Sequence, residues 1–265
     1  MHRPTALDYK LRPMPAITPN IEYLAAGRTE KLDLYLPDGV PSQPRPAVVV
    51  IHGGGWRVGD KADVRETQMA ETLAAAGYVC VSINYQQIAL GKPAWPGYLN
   101  DARTAVAYLR NNAERYRIDP TRIGTIGGSA GGNMALLLGS PADGYEPVRA
   151  VVALYPPTDM GWAGRSRENL FGPAVLDHPE IARAASPLFQ VTASFPPTFL
   201  LHGTADTIVP LDHSTRLDAA LAAVGVPHKL KVLENAPHTF KLMESGWDLR
   251  AEVVAFFDDH LKPRV

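Results

Sequence analysis

The chain has 265 residues, of which 46% are hydrophobic and 20% are charged, and its formal net charge is −1 at pH 7. This composition excludes a disordered chain, and the lack of a Lys/Arg block argues against nucleic acid or an anionic membrane surface as a partner. The single cysteine, Cys80, excludes an intrachain disulfide. Residues 1–15 carry no apolar signal segment and no run approaches ~18 apolar residues, so we expect a cytoplasmic protein without a spanning helix.

Hydrophobic patterning predicts alternating strands and helices after an N-terminal arm at residues 1–30. The alternating leucines of Leu32–Leu36 predict a strand, and the continuous run Ala47–Ile51 predicts a strand that is covered on both faces. Further strands are expected at 78–83, 122–126, 148–154, 197–201 and 229–233. Helices are expected at 62–76, 97–116, from the turn at 127–132 to about 138, 211–224 and 247–261.

Residues 156–196 lack a clear period, and we interpret them as a cap-like excursion with short helices. From residue 47 onward, strands otherwise alternate with helices. This order predicts a mostly parallel central sheet with helices on both faces. Because no internal repeat and no linker divides the chain, residues 1–265 are expected to form a single α/β domain.

Gly127, Ser129 and Gly131 form the pattern G-x-S-x-G between a predicted strand and a predicted helix. The pattern is typical of a tight turn that raises a serine hydroxyl above the sheet edge, where glycines on either side avoid Cβ clashes. The N-terminus of the following helix favours developing negative charge. Ser129 is therefore the candidate nucleophile.

A second glycine-rich segment, His52–Gly55, follows a predicted buried strand. Acyl transfer builds negative charge on a carbonyl oxygen, so backbone N–H groups must already point at that oxygen. The candidate donors of this oxyanion hole are Gly54, Gly55 and Ala130, and His52 is expected to order the loop. No phosphate-loop pattern and no clustered Cys and His residues occur, so neither a cofactor nor a metal is expected.

The acid and base that serve such a serine are expected after later strands, in the order serine, acid, histidine. Asp206 follows the predicted strand 197–201, and His238 follows the last predicted strand. Both therefore belong to the carboxyl edge of the sheet, where ligands bind in open α/β folds. Asp159 also follows a strand and is the alternative acid.

The other polar candidates have structural interpretations. His202 ends a predicted strand and is expected to be structural. Asp212 is interpreted as a helix N-cap, and Asp101 is expected to make a structural contact within its helix. The remaining histidines are expected to be solvated surface groups on the arm, loops or helices, namely His2, His178, His213, His228 and His260.

These motifs, together with Gly59–Lys61, Gly203–Asp206 and Ala236–Phe240, resemble the carboxylesterases of the α/β-hydrolase superfamily. The resemblance covers roughly residues 30–260 and implies an α/β-hydrolase fold. It is strongest to the esterases and lipases near the hormone-sensitive-lipase-like enzymes, a group that includes feruloyl and acetyl-xylan esterases. The N-terminal segment is shorter than in hormone-sensitive-lipase-like enzymes, which implies a short cap.

The predicted function is that of a serine carboxylesterase that hydrolyses short-chain acyl or small aromatic esters through an acyl-enzyme. An arylformamidase is the alternative, because the sequence also resembles kynurenine formamidases, which have a similar glycine loop followed by Trp. A non-catalytic binding module is a further alternative. Such a module would be expected to have lost the serine, the acid or the histidine, whereas this chain keeps Ser129, Asp206 and His238. The expected partner is a small-molecule ester, and we expect a monomer or homodimer.

The candidate walls of a compact apolar pocket are Trp56, Phe171 and Ile208, with Trp162, Leu170 and Phe240 as further candidates.

Overall fold

The computed structural model describes residues 15–89, 94–141, 144–162, 170–171 and 179–263. Within these ranges, the strands are β1 (Ala16–Ile21), β2 (Leu32–Leu36), β3 (Arg45–Ile51), β4 (Val79–Ile83), β5 (Ile118–Gly128), β6 (Ala150–Leu154), β7 (Thr198–Gly203), β8 (His228–Leu233), β9 (Met243–Glu244) and β10 (Trp247–Asp248). The α-helices are α1 (Val64–Ala75), α2 (Gly97–Asn111), α3 (Ala113–Tyr116), α4 (Ala130–Leu137), α5 (Pro179–Ala184), α6 (Asp212–Ala223) and α7 (Arg250–Leu261).

In the described part of the chain, eight strands form one sheet in the order β1-β2-β4-β3-β5-β6-β7-β8. β2 pairs antiparallel with both of its neighbours, β1 and β4. Every later pair, from β3 with β4 to β7 with β8, is parallel. The carboxyl ends of the parallel strands therefore meet at one edge, where open α/β sheets bind ligands. This is the mostly parallel sheet that the sequence pattern predicts, and it agrees with the α/β-hydrolase fold that the resemblance implies.

Both faces of this sheet are covered, which explains the continuous apolar run in β3. Val49 and Ile51 pack into a cluster with side chains of α2, α4 and α6. Val48 and Val50 face the other side and pack with α1 and α7. β-branched side chains suit a pleated surface, and full burial of one Val or Ile contributes roughly 1.5–3 kcal/mol. The core is thus two layers that hold β3 and β5 in the middle of the sheet.

The N-terminal arm contains an edge strand, β1, which the sequence pattern did not predict. Its residues are mostly exposed, so no alternation of apolar and polar residues marks it. Its place in the sheet depends on backbone pairing with β2 and on Asn20, whose N–H donates to Asp33 Oδ1 at 2.8 Å. Within the N-terminal arm expected at residues 1–30, residues 16–21 therefore form a strand of the central sheet.

Two helix boundaries also differ from the sequence prediction. The helix expected at 97–116 is divided into α2 and α3 at Asn112, whose side-chain Nδ2 donates to the Tyr108 carbonyl at 2.9 Å. α7 begins at Arg250 because the residues before it form the β9–β10 hairpin. In that hairpin, Trp247 Nε1 donates to the Lys241 carbonyl at 3.0 Å.

The described parts of residues 156–196 contain short helices, as expected for this excursion. A 3₁₀ turn at Met160–Trp162, the helix α5 and a second 3₁₀ turn at Pro187–Phe189 lie here. The side chain of Trp162, a candidate wall residue, is outside the described part of the structure. None of the described helices is long and apolar enough to cross a bilayer.

Candidate active site

Ser129 lies in the turn between β5 and α4 and has a strained backbone, with φ 55° and ψ −120°. Glycines are needed on either side of Ser129 because backbone carbonyl groups lie very close to the turn. A Cβ on Gly131 would lie 2.1 Å from the Ile51 carbonyl oxygen, and a Cβ on Gly127 would lie 2.5 Å from the Gly131 carbonyl oxygen. The turn therefore has the geometry that the G-x-S-x-G pattern predicts, and it presents the serine at the carboxyl edge of the sheet.

The three residues proposed as serine, acid and base form one line of hydrogen bonds. His238 Nε2 lies 2.9 Å from Ser129 Oγ, and His238 Nδ1 lies 2.6 Å from Asp206 Oδ2. Because an ionised carboxylate only accepts, Nδ1 carries the proton and Nε2 accepts from the serine hydroxyl. The side chain of His238 is 7% exposed and that of Asp206 is fully buried. The imidazole is thus oriented to take a proton from Ser129.

Asp206 is held by the loop that follows β7. Its Oδ1 accepts the backbone N–H of Ile208 at 2.9 Å and that of Val209 at 2.8 Å. These two bonds leave Oδ2 facing His238 Nδ1. The loop thereby fixes the carboxylate in the orientation in which it meets the imidazole.

The glycine loop after β3 packs directly against the serine turn. A Cβ on Gly53 would lie 2.9 Å from the Gly128 carbonyl oxygen, and a Cβ on Gly54 would lie 2.0 Å from the Val58 carbonyl oxygen. Gly54 and Gly55 have positive φ angles of 109° and 60°. Among the described residues, the backbone N–H groups of Gly54, Gly55 and Ala130 have no hydrogen-bond acceptor. They are available to a ligand oxygen near Ser129.

A cavity of about 290 Å³ opens beside Ser129. Trp56 and Ile208 line it, and so does Leu170. Phe171, which was expected to line it too, is not among its described lining residues, and its ring packs edge-on against Trp95 with 5.9 Å between the ring centroids. Phe240 is buried between Tyr155 and Trp247 and is likewise not among the described lining residues. Further apolar lining comes from Ile88, Pro157, Met160 and Val209.

Comparison with known proteins assigns a family to this chain. The family model BD-FAE matches residues 32–221, which is more than half of the chain. The chain belongs to the BD-FAE family. Esterase LipQ of Mycobacterium tuberculosis is similar to it, with 31% identity over 260 aligned residues that cover 91% of this chain and 60% of LipQ. The BD-FAE chain therefore spans about three fifths of the length of this relative.

Solved structures have the same fold as this BD-FAE chain. A truncated form of a carbohydrate esterase from gut microbiota superposes with a TM-score of 0.80 and 23% identity, covering 93% of this chain and 96% of that one. Esterase 2 of Thermogutta terrifontis with propionate bound has a TM-score of 0.77 and 26% identity, covering 96% of this chain and 97% of that one. These similarities support the α/β-hydrolase fold derived from the sheet.

Tyr155 belongs to the site of this BD-FAE chain although the sequence did not indicate it. Its φ is 39°, and its ring centroid lies 4.7 Å from that of His238. Its hydroxyl donates to the Phe240 carbonyl at 3.0 Å, and burial raises the pKa of the phenol, which keeps it a donor. Tyr155 thereby supports the loop that carries His238. The sequence feature that could have indicated Tyr155 is its position directly after β6, at the carboxyl edge of the sheet.

His52 orders the glycine loop, as expected. Its Nδ1 lies 2.7 Å from the Gly53 carbonyl oxygen, and its ring stacks on Tyr85 at 4.2 Å. Burial lowers the pKa of this imidazole, so the neutral form is favoured. His52 is thus a buried support for the loop.

Three other aspartates from the sequence analysis have the following positions in the structure. Asp159, the alternative acid, lies on the cavity wall, where its Oδ2 is 3.0 Å from Arg216 Nη2. Asp101 makes the expected structural contact through a salt bridge with Arg28. Asp212 is the first residue of α6 rather than its N-cap, since the cap position is Leu211.

The expectation that His213 is solvated was wrong. His213 is 3% exposed, and its Nδ1 accepts the Thr158 N–H at 3.1 Å. It connects α6 to the segment after β6, a tertiary contact that no local pattern reveals. His2 and His178 lie outside the described residues.

Proposed function

We propose that this BD-FAE chain is a serine carboxylesterase in which Ser129 is the nucleophile, His238 the general base and Asp206 the acid that orients it. The observation that carries the proposal is the hydrogen-bond line from Asp206 through His238 to Ser129. That line ends at a cavity and at backbone N–H groups that have no acceptor among the described residues. Its members have the geometry of a nucleophile, a base and an orienting group.

The proposed reaction begins when Ser129 Oγ forms a bond to the acyl carbon and its proton moves to His238 Nε2. The carbonyl electron pair moves to oxygen, where the N–H groups of Gly54, Gly55 and Ala130 stabilise the charge. The tetrahedral intermediate then expels the alcohol, which takes the proton from His238. Water attacks the acyl-enzyme by the same route, releasing the carboxylic acid and free Ser129.

The substrates that we propose are short-chain acyl or small aromatic esters. A cavity of about 290 Å³ is at the small end of the range for ligand pockets. Its wall is mainly apolar, with Trp56, Leu170 and Ile208 among the lining residues. Thermogutta terrifontis esterase 2 has been solved with propionate bound, a short-chain carboxylate whose length agrees with this size.

The test is hydrolysis of p-nitrophenyl esters from acetate to decanoate, with N-formylkynurenine as a parallel substrate for the arylformamidase alternative. We expect kcat/KM to be highest for short esters and to fall as the acyl chain outgrows the cavity. A flat profile, or a maximum at decanoate, would refute the short-chain assignment. Cleavage of N-formylkynurenine in the absence of any ester hydrolysis would replace the proposed function with the alternative.

A further inference from the structure

His202, at the carboxyl end of β7, is completely buried beside Asp206. Its Nε2 lies 2.9 Å from the Val209 carbonyl oxygen and 3.3 Å from Asp206 Oδ2. Its Nδ1 lies 2.7 Å from Ser214 Oγ on α6. Both ring nitrogens therefore have partners, and one of them adjoins the oxygen that pairs with His238.

These partners define the form of the ring. A carbonyl oxygen only accepts, so Nε2 carries the proton and donates to Val209. Burial lowers the pKa of His202, which favours the neutral ring, and Nδ1 then accepts the Ser214 hydroxyl proton. The positive end of the Nε2–H dipole consequently lies next to the Asp206 carboxylate.

His202 contacts Asp206 in two ways. One is the direct approach of Nε2 to Oδ2. The other runs through Val209, whose carbonyl accepts from His202 while its own N–H donates to Asp206 Oδ1. The imidazole thus fixes both the loop that cradles the carboxylate and the oxygen that faces His238.

We propose that His202 is a positioning residue for the ester hydrolysis proposed above, with Ser214 orienting its ring. It acts through Asp206 and touches neither substrate nor Ser129. The inference rests on the proposed function, because it assigns His202 to the same reaction. Misplacement of a reacting group by about 1 Å costs on the order of 10²-fold in rate, and a loss of this size is expected when the ring is removed.

The experiment measures kcat and KM for p-nitrophenyl acetate with the full chain and four variants. His202→Leu removes both polar contacts, whereas His202→Gln keeps an N–H donor near the position of Nε2. Ser214→Ala removes only the orienting hydroxyl. Thr198→Val is the matched control, since it deletes a buried hydrogen bond to the Pro196 carbonyl at the opposite end of the same strand.

We expect His202→Leu to lower kcat about 10²-fold with KM changed less than about threefold. The kcat of His202→Gln should be close to that of wild type. The kcat of Ser214→Ala should lie between the values for His202→Leu and wild type, and Thr198→Val should have the kcat of wild type. Normal kcat in His202→Leu, or a loss that appears in KM alone, would overturn the inference. If His202→Leu does not fold, wild-type kcat in Ser214→Ala would overturn it. An inactive wild-type chain would instead refute the proposed esterase function.

Discussion

At the scale of single residues, the carboxylate of Asp206 orients the imidazole ring of His238. The carboxylate is fully buried, and backbone N–H groups of Ile208 and Val209 occupy one of its oxygens. The other oxygen holds the Nδ1 proton of His238. The tautomer of the His238 imidazole is therefore set by Asp206, which binds the ring nitrogen opposite the one that faces Ser129.

Asp206→Asn tests this dependence. The amide oxygen can still accept from Ile208 and Val209, which turns the NH₂ group towards His238 Nδ1. The imidazole must then carry its proton on Nε2, where it cannot accept from Ser129, and we expect kcat to fall about 10⁴-fold. Steady-state kinetics with p-nitrophenyl acetate measure the loss.

Asp119→Asn is the control, because Asp119 accepts from Thr121 and Arg122 at the start of β5. This variant should retain wild-type kcat. A kcat of Asp206→Asn within tenfold of wild type would show that Asp206 is not the orienting acid.

At the scale of elements, the glycine loop and the serine turn form one unit. Gly53 leaves room for the Gly128 carbonyl, and Gly131 leaves room for the Ile51 carbonyl. The ends of β3 and β5 thus approach so closely that a side chain is excluded at Gly53 and at Gly131. This contact sets the distance between the nucleophile and the proposed oxyanion donors.

Gly54→Ala tests the close approach. The new Cβ would lie 2.0 Å from the Val58 carbonyl oxygen at a φ of 109°, so the loop must move and displace its N–H groups. We expect kcat to fall 10²-fold or more, since one oxyanion donor contributes roughly 3–4 kcal/mol. The free energy of unfolding, measured in urea, should also fall.

Gly77→Ala separates the clash from backbone strain. Gly77 has a φ of 96°, but a Cβ at this position would have no neighbouring atom within 4 Å. Its substitution should therefore cost about 1 kcal/mol and leave kcat unchanged. Equal effects of the two substitutions on kcat and stability would contradict the role given to the loop.

The sequence predicted the parts of the site that lie in short local motifs. Ser129, Asp206 and His238 each follow a recognisable strand, and the parallel sheet brings strand ends together. Tyr155 and the contact between His202 and Ser214 depend on tertiary packing, which single-chain periodicity does not encode. β1 was missed for a related reason, because its exposed residues show no alternation.

At the scale of the whole molecule, a buried acid couples stability to pH. Glu66 on α1 is 1% exposed, and its Oε2 has no hydrogen-bond partner among the described residues. Burial raises its pKa from 4.5 to about 7. Between these values the folded chain holds this proton more tightly than the unfolded chain, so the stability from this group is lost as the pH rises through about 7.

Glu66→Gln should therefore stabilise the fold more at pH 8 than at pH 5, with a difference of roughly 2 kcal/mol. Urea unfolding of wild type and variant at both pH values measures it. Glu114→Gln, at an exposed position of α3, is the control. It should change the free energy of unfolding by the same small amount at pH 5 and pH 8. An equal effect of Glu66→Gln at the two pH values would contradict the assigned linkage.

The most direct measurement of the central claim is reaction with a serine-reactive phosphonate, followed by intact mass and peptide mapping. We predict one adduct per chain, on Ser129, and none in Ser129→Ala. Ser140→Ala is the matched control, because its hydroxyl is buried and unpaired in the described structure, and it should react like wild type. An adduct on another residue, or a wild-type chain that stays unlabelled, would contradict the assignment of Ser129 as the nucleophile.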